Sequence, residues 1–175
     1  MRRLLIVVSS ALSVVAVTAQ GPQKEIVEGI RNFTIVDPTV GCAGTTEARV
    51  MPELARRGYK SVINLREATE TGAAIDESRT SAEAVGIRFI HLPFNGQKPD
   101  PAVVEAFIKA ASDRANQPTF INCASASRVS ALLMAKRILV DGWSEERALG
   151  EATLVGPPSA ALRDFVLKYV AERKK

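Results

Sequence analysis

The stretch Phe120-Ile121-Asn122-Cys123-Ala124-Ser125-Ala126-Ser127-Arg128-Val129 decides the fold. Together with Pro118 and Thr119 its first part reads as a short strand. The residues after Cys123 are small, so the chain can curl tightly there. From Val129 onward, Leu132, Leu133, Ala135, Ile138 and Leu139 recur at helical spacing on a long, mostly buried helix that stops near Gly142. A strand, a tight loop and a buried helix in succession is the repeating unit of a parallel α/β sheet.

The same alternation continues on both sides. Phe33 to Val40 reads as one short strand, with Pro38 marking an edge or an exit. Thr45-Thr46 offers an N-cap, and Met51-Pro52-Glu53-Leu54 opens a helix ending at Gly58. Ser61 to Leu65 is too apolar to have an open face and is predicted to be a central strand. A polar helix from Ala73 to Val85, a strand from Arg88 to Leu92 and a helix from Pro101 to Ala115 come next. Beyond Gly142 come helices from Ser144 to Val155 and from Ser159 to Arg173, separated by Gly156-Pro157-Pro158. The predicted fold is α/β: a single domain, residues 20–175, with a parallel-rich central sheet flanked by helices. Ligands of such sheets bind at the carboxyl ends of the strands, where the loops lead into helices.

Composition narrows the functional classes. Aromatic residues make up 5% of the chain, too few for platforms that stack single-stranded nucleic acid, and no nucleic-acid partner is expected. Two cysteines and one histidine are too few for a structural zinc site or a disulfide framework, so neither a metal nor another cofactor is expected. Met1-Arg2-Arg3, the apolar run from Leu4 to Val17 and Val17-Thr18-Ala19 have the order of a secretory signal, and cleavage is expected after residue 19. The apolar run is shorter than a spanning helix needs, so no stable membrane association is expected after cleavage. The leader holds two arginines and no acid, so its loss lowers the formal charge from +4 to +2. A secreted or periplasmic location is then expected, where thiols can be oxidised.

The loop after Asn122 concentrates candidate chemistry. Its amides and the start of the following helix form a concave anion site from Ala124, Ser125, Ala126 and Ser127. A thiol at its floor, Cys123, would be favoured as thiolate by the helix end and by Arg128. The Arg128 guanidinium offers a planar fork to two oxygens of a phosphoryl group. A hydroxyl of Ser125, Ser127 or Ser130 could hydrogen-bond the sulfur. The bland alternative is a buried structural cysteine at the end of a central strand.

Asn122-Cys123-Ala124-Ser125-Ala126-Ser127-Arg128-Val129, followed by an apolar helix and Asp141-Gly142-Trp143-Ser144, resembles the beta-lactamase-hydrolase-like phosphatase family of cysteine-dependent, dual-specificity-like phosphatases. The likeness extends over Arg57-Gly58-Tyr59-Lys60-Ser61-Val62-Ile63-Asn64-Leu65-Arg66, His91-Leu92-Pro93 and Glu151-Ala152. It implies a cysteine-phosphatase-like fold and hydrolysis of a phosphate monoester, on a protein or a small molecule, through a phosphocysteine on Cys123. Arg128 and the loop amides would then hold the equatorial oxygens. Three positions depart from the family pattern: its histidine is Asn122, its loop glycine is Ala126, and its Gly-Gln-Pro stands as Gly41-Cys42-Ala43-Gly44.

The family's general acid is an aspartate on a neighbouring loop, and Asp100 lies where that loop is expected, although Asp100-Pro101 is also an ordinary helix start. His91 is expected at a strand end near the pocket. Glu67 and Glu70 are expected on the rim, in solvent. Cys42, expected on a loop, could form a reversible bridge that masks Cys123, or remain an unpaired, partly buried thiol. Two other functions compete. The six-residue span from Cys123 to Arg128 is the loop length of rhodaneses, which would make the chain a sulfurtransferase acting through a Cys123 persulfide. A non-catalytic module binding phosphorylated ligands would also tolerate Asn122 and Ala126.

Overall fold

The computed structural model describes residues 21–174, so the expected leader at residues 1–19 lies outside the described residues. A six-stranded mixed sheet carries helices on both faces. Its strands are β1 (Gln23–Val27), β2 (Ile30–Asp37), β3 (Val40–Ala43), β4 (Ser61–Asn64), β5 (Arg88–His91) and β6 (Thr119–Asn122), in the spatial order β1-β2-β3-β6-β4-β5. The helices are α1 (Met51–Arg56), α2 (Ile75–Ala84), α3 (Pro101–Ser112), α4 (Ser127–Leu139), α5 (Glu145–Val155) and α6 (Ala160–Arg173).

The strands β3, β6, β4 and β5 are parallel, and β2 runs antiparallel to both of its neighbours, β1 and β3. The expected single strand from Phe33 to Val40 is therefore two. Pro38 has no amide hydrogen to offer a ladder, and the Asp37 carboxylate accepts from the amide and the hydroxyl of Thr39, each at 2.7 Å, closing a turn. The edge strand β1 adds to the elements expected from the sequence. Its side chains are almost wholly exposed, so it carries no buried-face alternation to read.

Other boundaries shift slightly. Thr45-Thr46 does not cap α1: Thr46 bridges back to Ile30, and a short 3-10 turn from Ala48 to Val50 leads into the helix. The helix expected over 73–85 runs from Ile75, and the one expected to reach Ala115 ends at Ser112 before a second 3-10 turn. Ser144 and Ser159 each cap the helix that follows, accepting from the amides of Arg147 and Leu162.

All four residues of β4 and of β6 are buried, so neither strand has an open face. On one face Cys42, Ile63, Ile121 and Cys123 pack with α4, whose buried residues run almost continuously from Val129 to Ile138. On the other, Phe33 and Phe120 stack at 6.0 Å and pack with α1 and the loops around α2. The buried Arg137 ties α4 to its neighbours through Asp37, Asp141 and Glu151, at 2.5, 2.9 and 2.7 Å. Among the described residues no helix is long and apolar enough to cross a membrane.

The register of the parallel strands positions the loops. Ala43, Asn122, Asn64 and His91 lie side by side in a row across the sheet. The loops beginning at Gly44, Cys123, Leu65 and Leu92 therefore leave the sheet together.

Candidate active site

Cys123 sits one residue beyond β6, and its amide donates to the Ala43 carbonyl at 3.3 Å. Its side chain is fully buried, and the sulfur accepts from the Ala126 amide at 3.2 Å. The amides of Ala124, Ser125, Ser127 and Arg128 donate to no acceptor among the described residues. Four free donors at the start of a 13-residue helix are an anion site in waiting.

The loop holds its shape through close backbone contacts. Thr45 donates its amide to the Ala124 carbonyl at 3.1 Å. A methyl group at Gly44 would come within 2.9 Å of that oxygen, so this neighbour must be glycine. Ala126 adopts the left-handed conformation, φ 74°, and is fully buried. Gly156 lies opposite it: a Cβ there would be 2.9 Å from the Ala126 methyl. Ser130 bridges the carbonyls of Ser127 and Gly156 at 2.9 and 2.5 Å, fastening the segment after α5 to the loop. Its hydroxyl is thus engaged by carbonyls, and the sulfur's hydrogen-bond donor is a backbone amide rather than a serine.

Arg128 is clamped. Its guanidinium meets the Glu70 carboxylate bidentately at 2.6 and 2.8 Å, and donates to the carbonyls of Leu65 and Phe94 at 3.2 and 3.0 Å. These contacts occupy Nη1 and one hydrogen of Nη2, and the guanidinium also meets the Cys123 thiol. Burial opposes the charge on Arg128, but the Glu70 carboxylate and the neighbouring Cys123 raise its pKa overall.

Glu70 is a working part of the site rather than the solvated rim residue expected. It also accepts from the Glu67 amide at 2.8 Å and from Arg66 at 3.3 Å. Burial works to raise its pKa, but the hydrogen bonds from Arg128 and the Glu67 amide, with the arginine charges, hold it at about 2. Arg66 is itself buried and donates to the carbonyls of Thr71 and Gly72, both at 2.7 Å. The only trace of this arrangement in the sequence is the spacing of Arg66 and Glu70 just after a central strand.

The remaining candidates are spread around this centre. Asp100 is exposed and caps α3, accepting from the Ala102 amide at 2.8 Å, and among the described residues it makes no hydrogen bond to the cysteine loop. His91 ends β5, where its Nε2 lies 2.8 Å from the Arg66 carbonyl and props the turn that holds Glu70. Glu67 accepts from the Asn95 side chain at 3.2 and 3.0 Å, joining the loops after β4 and β5. Asn122 is buried, and its side-chain oxygen has no partner among the described residues.

Cys42 and Cys123 are both free and buried. The bridge between them is not formed, and Cys42 lies within β3 rather than on a loop. It pairs with Ile121, two residues short of Cys123. Strand geometry then separates the two Cα atoms by about 8 Å, beyond the reach of a disulfide. Burial first, and then the neighbouring Cys123, push the Cys42 thiol pKa far above its usual value. Among the described residues no group of three or more metal-binding side chains comes together.

A family model described as beta-lactamase hydrolase-like protein, phosphatase-like domain, matches residues 32–138. No curated protein matches the chain. Among solved structures, TpbA of P. aeruginosa is 20% identical with a TM-score of 0.64, covering 87% of this chain and 96% of its own. A TpbA cysteine-to-serine form in complex with pTyr is 19% identical with a TM-score of 0.61, covering 85% and 95%. The core catalytic domain of the PP-IP phosphatase SIW14 from S. cerevisiae, in complex with citrate, is 19% identical with a TM-score of 0.67, covering 86% and 92%. At these identities the likeness establishes the fold, that of cysteine phosphatases.

Proposed function

This chain belongs to the beta-lactamase hydrolase-like, phosphatase-like domain family, and on that premise we propose that it hydrolyses phosphate monoesters at Cys123. The thiolate attacks phosphorus, an S–P bond forms as the ester P–O bond breaks, and the leaving oxygen takes up a proton. Water then cleaves the S–P bond, releasing inorganic phosphate and restoring the thiol. The free amides of the loop and Arg128, which meets the Cys123 thiol, receive the non-bridging oxygens, where charge accumulates. A single observation carries this reading: the buried sulfur accepts from Ala126 inside a loop with four further free amides, beside an arginine locked by Glu70.

The leaving-group acid is proposed to be Asp100, the one aspartate on the loop after β5; its capping bond would have to open for that role. The substrate is a phosphorylated protein or a small phosphate ester. The TpbA complex with pTyr and the PP-IP phosphatase name of SIW14 make both classes reasonable to test. The leader-like residues 1–19 support export, and cell fractionation of the tagged full chain tests it.

The short span from Cys123 to Arg128 favours sulfur transfer as a second reading. Mass spectrometry after brief exposure to an aryl phosphate, and separately to thiosulfate, discriminates the two. A phosphoryl adduct on Cys123 supports the phosphatase. An added sulfur atom alone, with cyanide then discharging it as thiocyanate, overturns it.

A further inference from the structure

Next to the cysteine loop, the loops after β3 and β4 enclose a cavity of about 550 Å³. In the sheet β6 lies between these two strands, so the Cys123 loop emerges between the cavity's walls. Both walls are fastened to it. On one side Thr45 bonds Ala124; on the other Arg66 bonds Glu70, which grips Arg128.

Three arginines line the cavity, and two are already satisfied. Arg49 is paired with Glu47 at 2.6 Å and with Glu28 at 3.1 Å. Arg66 is used on the carbonyls of Thr71 and Gly72 and on Glu70. Arg31 makes no side-chain hydrogen bond or ion pair with any described residue, yet its backbone is fixed. Its amide donates to the Thr45 carbonyl and its carbonyl accepts from Gly44, both at 2.8 Å. Those two residues are the ones that press on Ala124 and Ser125. The unpaired guanidinium is thus mounted on the segment that braces the phosphate loop. Glu77, also without an ion-pair partner among the described residues, lines the same cavity and disfavours an anion on its own part of the wall.

We propose that Arg31 binds a second anionic group of the substrate, so the favoured substrates are compact phosphate esters carrying another phosphate or a carboxylate. The proposal rests on the phosphatase reading of Cys123. A guanidinium fork and a tetrahedral or planar oxyanion match in geometry, and charge-assisted bonds of this kind discriminate strongly.

The test compares phenyl phosphate with 2-carboxyphenyl phosphate and catechol bisphosphate, in the wild type and in Arg31→Gln and Arg31→Lys. The wild type should prefer the doubly anionic substrates in kcat/KM by about 10- to 100-fold. Arg31→Gln should collapse that ratio to within about twofold, and Arg31→Lys should keep part of it. The two doubly anionic substrates report whether phosphate or carboxylate is the better second group. No preference in the wild type, or an undiminished preference in Arg31→Gln, overturns the proposal. Calorimetric binding to the Cys123→Ser protein gives a readout independent of turnover. Methylene bisphosphonate should bind more tightly than inorganic phosphate, and Arg31→Gln should abolish the difference. Absence of turnover with the binding difference intact refutes the phosphatase reading alone, whereas equal binding of the two ligands refutes the role of Arg31.

Discussion

Replacing Glu70 by glutamine keeps the shape of the side chain and one acceptor oxygen, but removes the charge that holds Arg128. The wild-type carboxyl titrates at about 2 instead of 4.5, and its side chain is only 22% exposed. That gap corresponds to about 3 kcal/mol of stability at neutral pH. The sign is set by the depressed native pKa. The contribution is complete above the unfolded value near 4.5 and is lost as the pH falls through about 2. Glu70→Gln lacks it at every pH. Because glutamine retains an acceptor, the expected loss at pH 7 is about 1–3 kcal/mol. The stabilities of the two proteins should converge as the pH is lowered from 4.5 toward 2. Urea titrations at a series of pH values measure this, and parallel curves for the two proteins would refute the reasoning.

The same substitution should slow turnover of an aryl phosphate by about 10- to 100-fold, because Arg128 loses its fixed orientation. A merely structural Glu70 would lower activity only as the folded fraction falls. A double-mutant cycle separates the cases: once Arg128 is replaced by alanine, Glu70→Gln should have little further effect on kcat. Additive losses would show that Glu70 does not act through Arg128.

Gly156→Ala should force apart the Ala126 methyl and the new one, costing about 1–3 kcal/mol and lowering activity; adding Ala126→Gly should restore both, as thermal melts and phosphatase assays would reveal. Asp100→Ala should cost about 1 kcal/mol through the lost cap of α3. If Asp100 is also the leaving-group acid, poor leaving groups will suffer far more than p-nitrophenolate; equal losses across leaving groups would leave it the cap alone. Arg137→Met strands Asp37 and Glu151 around an uncharged side chain, while Asp141 keeps Lys136. It should destabilise the protein by about 3–5 kcal/mol, and a denaturation midpoint close to that of the wild type would contradict the network's importance.

What the sequence made legible was whatever depends on one chain segment. The apolar runs of β4 and β6, the periodic positions of α3 and α4 and the serine caps of α5 and α6 are local signals, and each element forms where its signal lies. The nucleophile, the small-residue loop and the arginine were legible together because they are consecutive. The clamp on Arg128 was not, since half of it is made of the backbone carbonyls of Leu65 and Phe94, which no side chain advertises. Glu70 reaches Arg128 across 58 residues of sequence. Likewise Gly156 reads as a helix stop, and its contact with Ala126 exists only because α5 returns against α4. The exposed strand β1 was silent for the opposite reason: nothing on it is buried deeply enough to pattern its sequence.

The two loop departures from the family pattern are met by different means. Alanine at φ 74° costs about 1 kcal/mol relative to glycine. Burying its methyl returns about 0.8 kcal/mol, provided the facing residue has no side chain, which is the condition Gly156 meets. The left-handed turn is therefore kept at little net cost, and with it the Ala126 amide that points at the sulfur. Asn122 is different, because an uncharged amide with a bare oxygen cannot lend positive potential to a neighbouring thiolate as an imidazolium would. That support has to come from the Ala126 amide, the α4 terminus and Arg128. All three lie within the six residues from Cys123 to Arg128, and the outside side chain that aims the arginine is the Glu70 carboxylate.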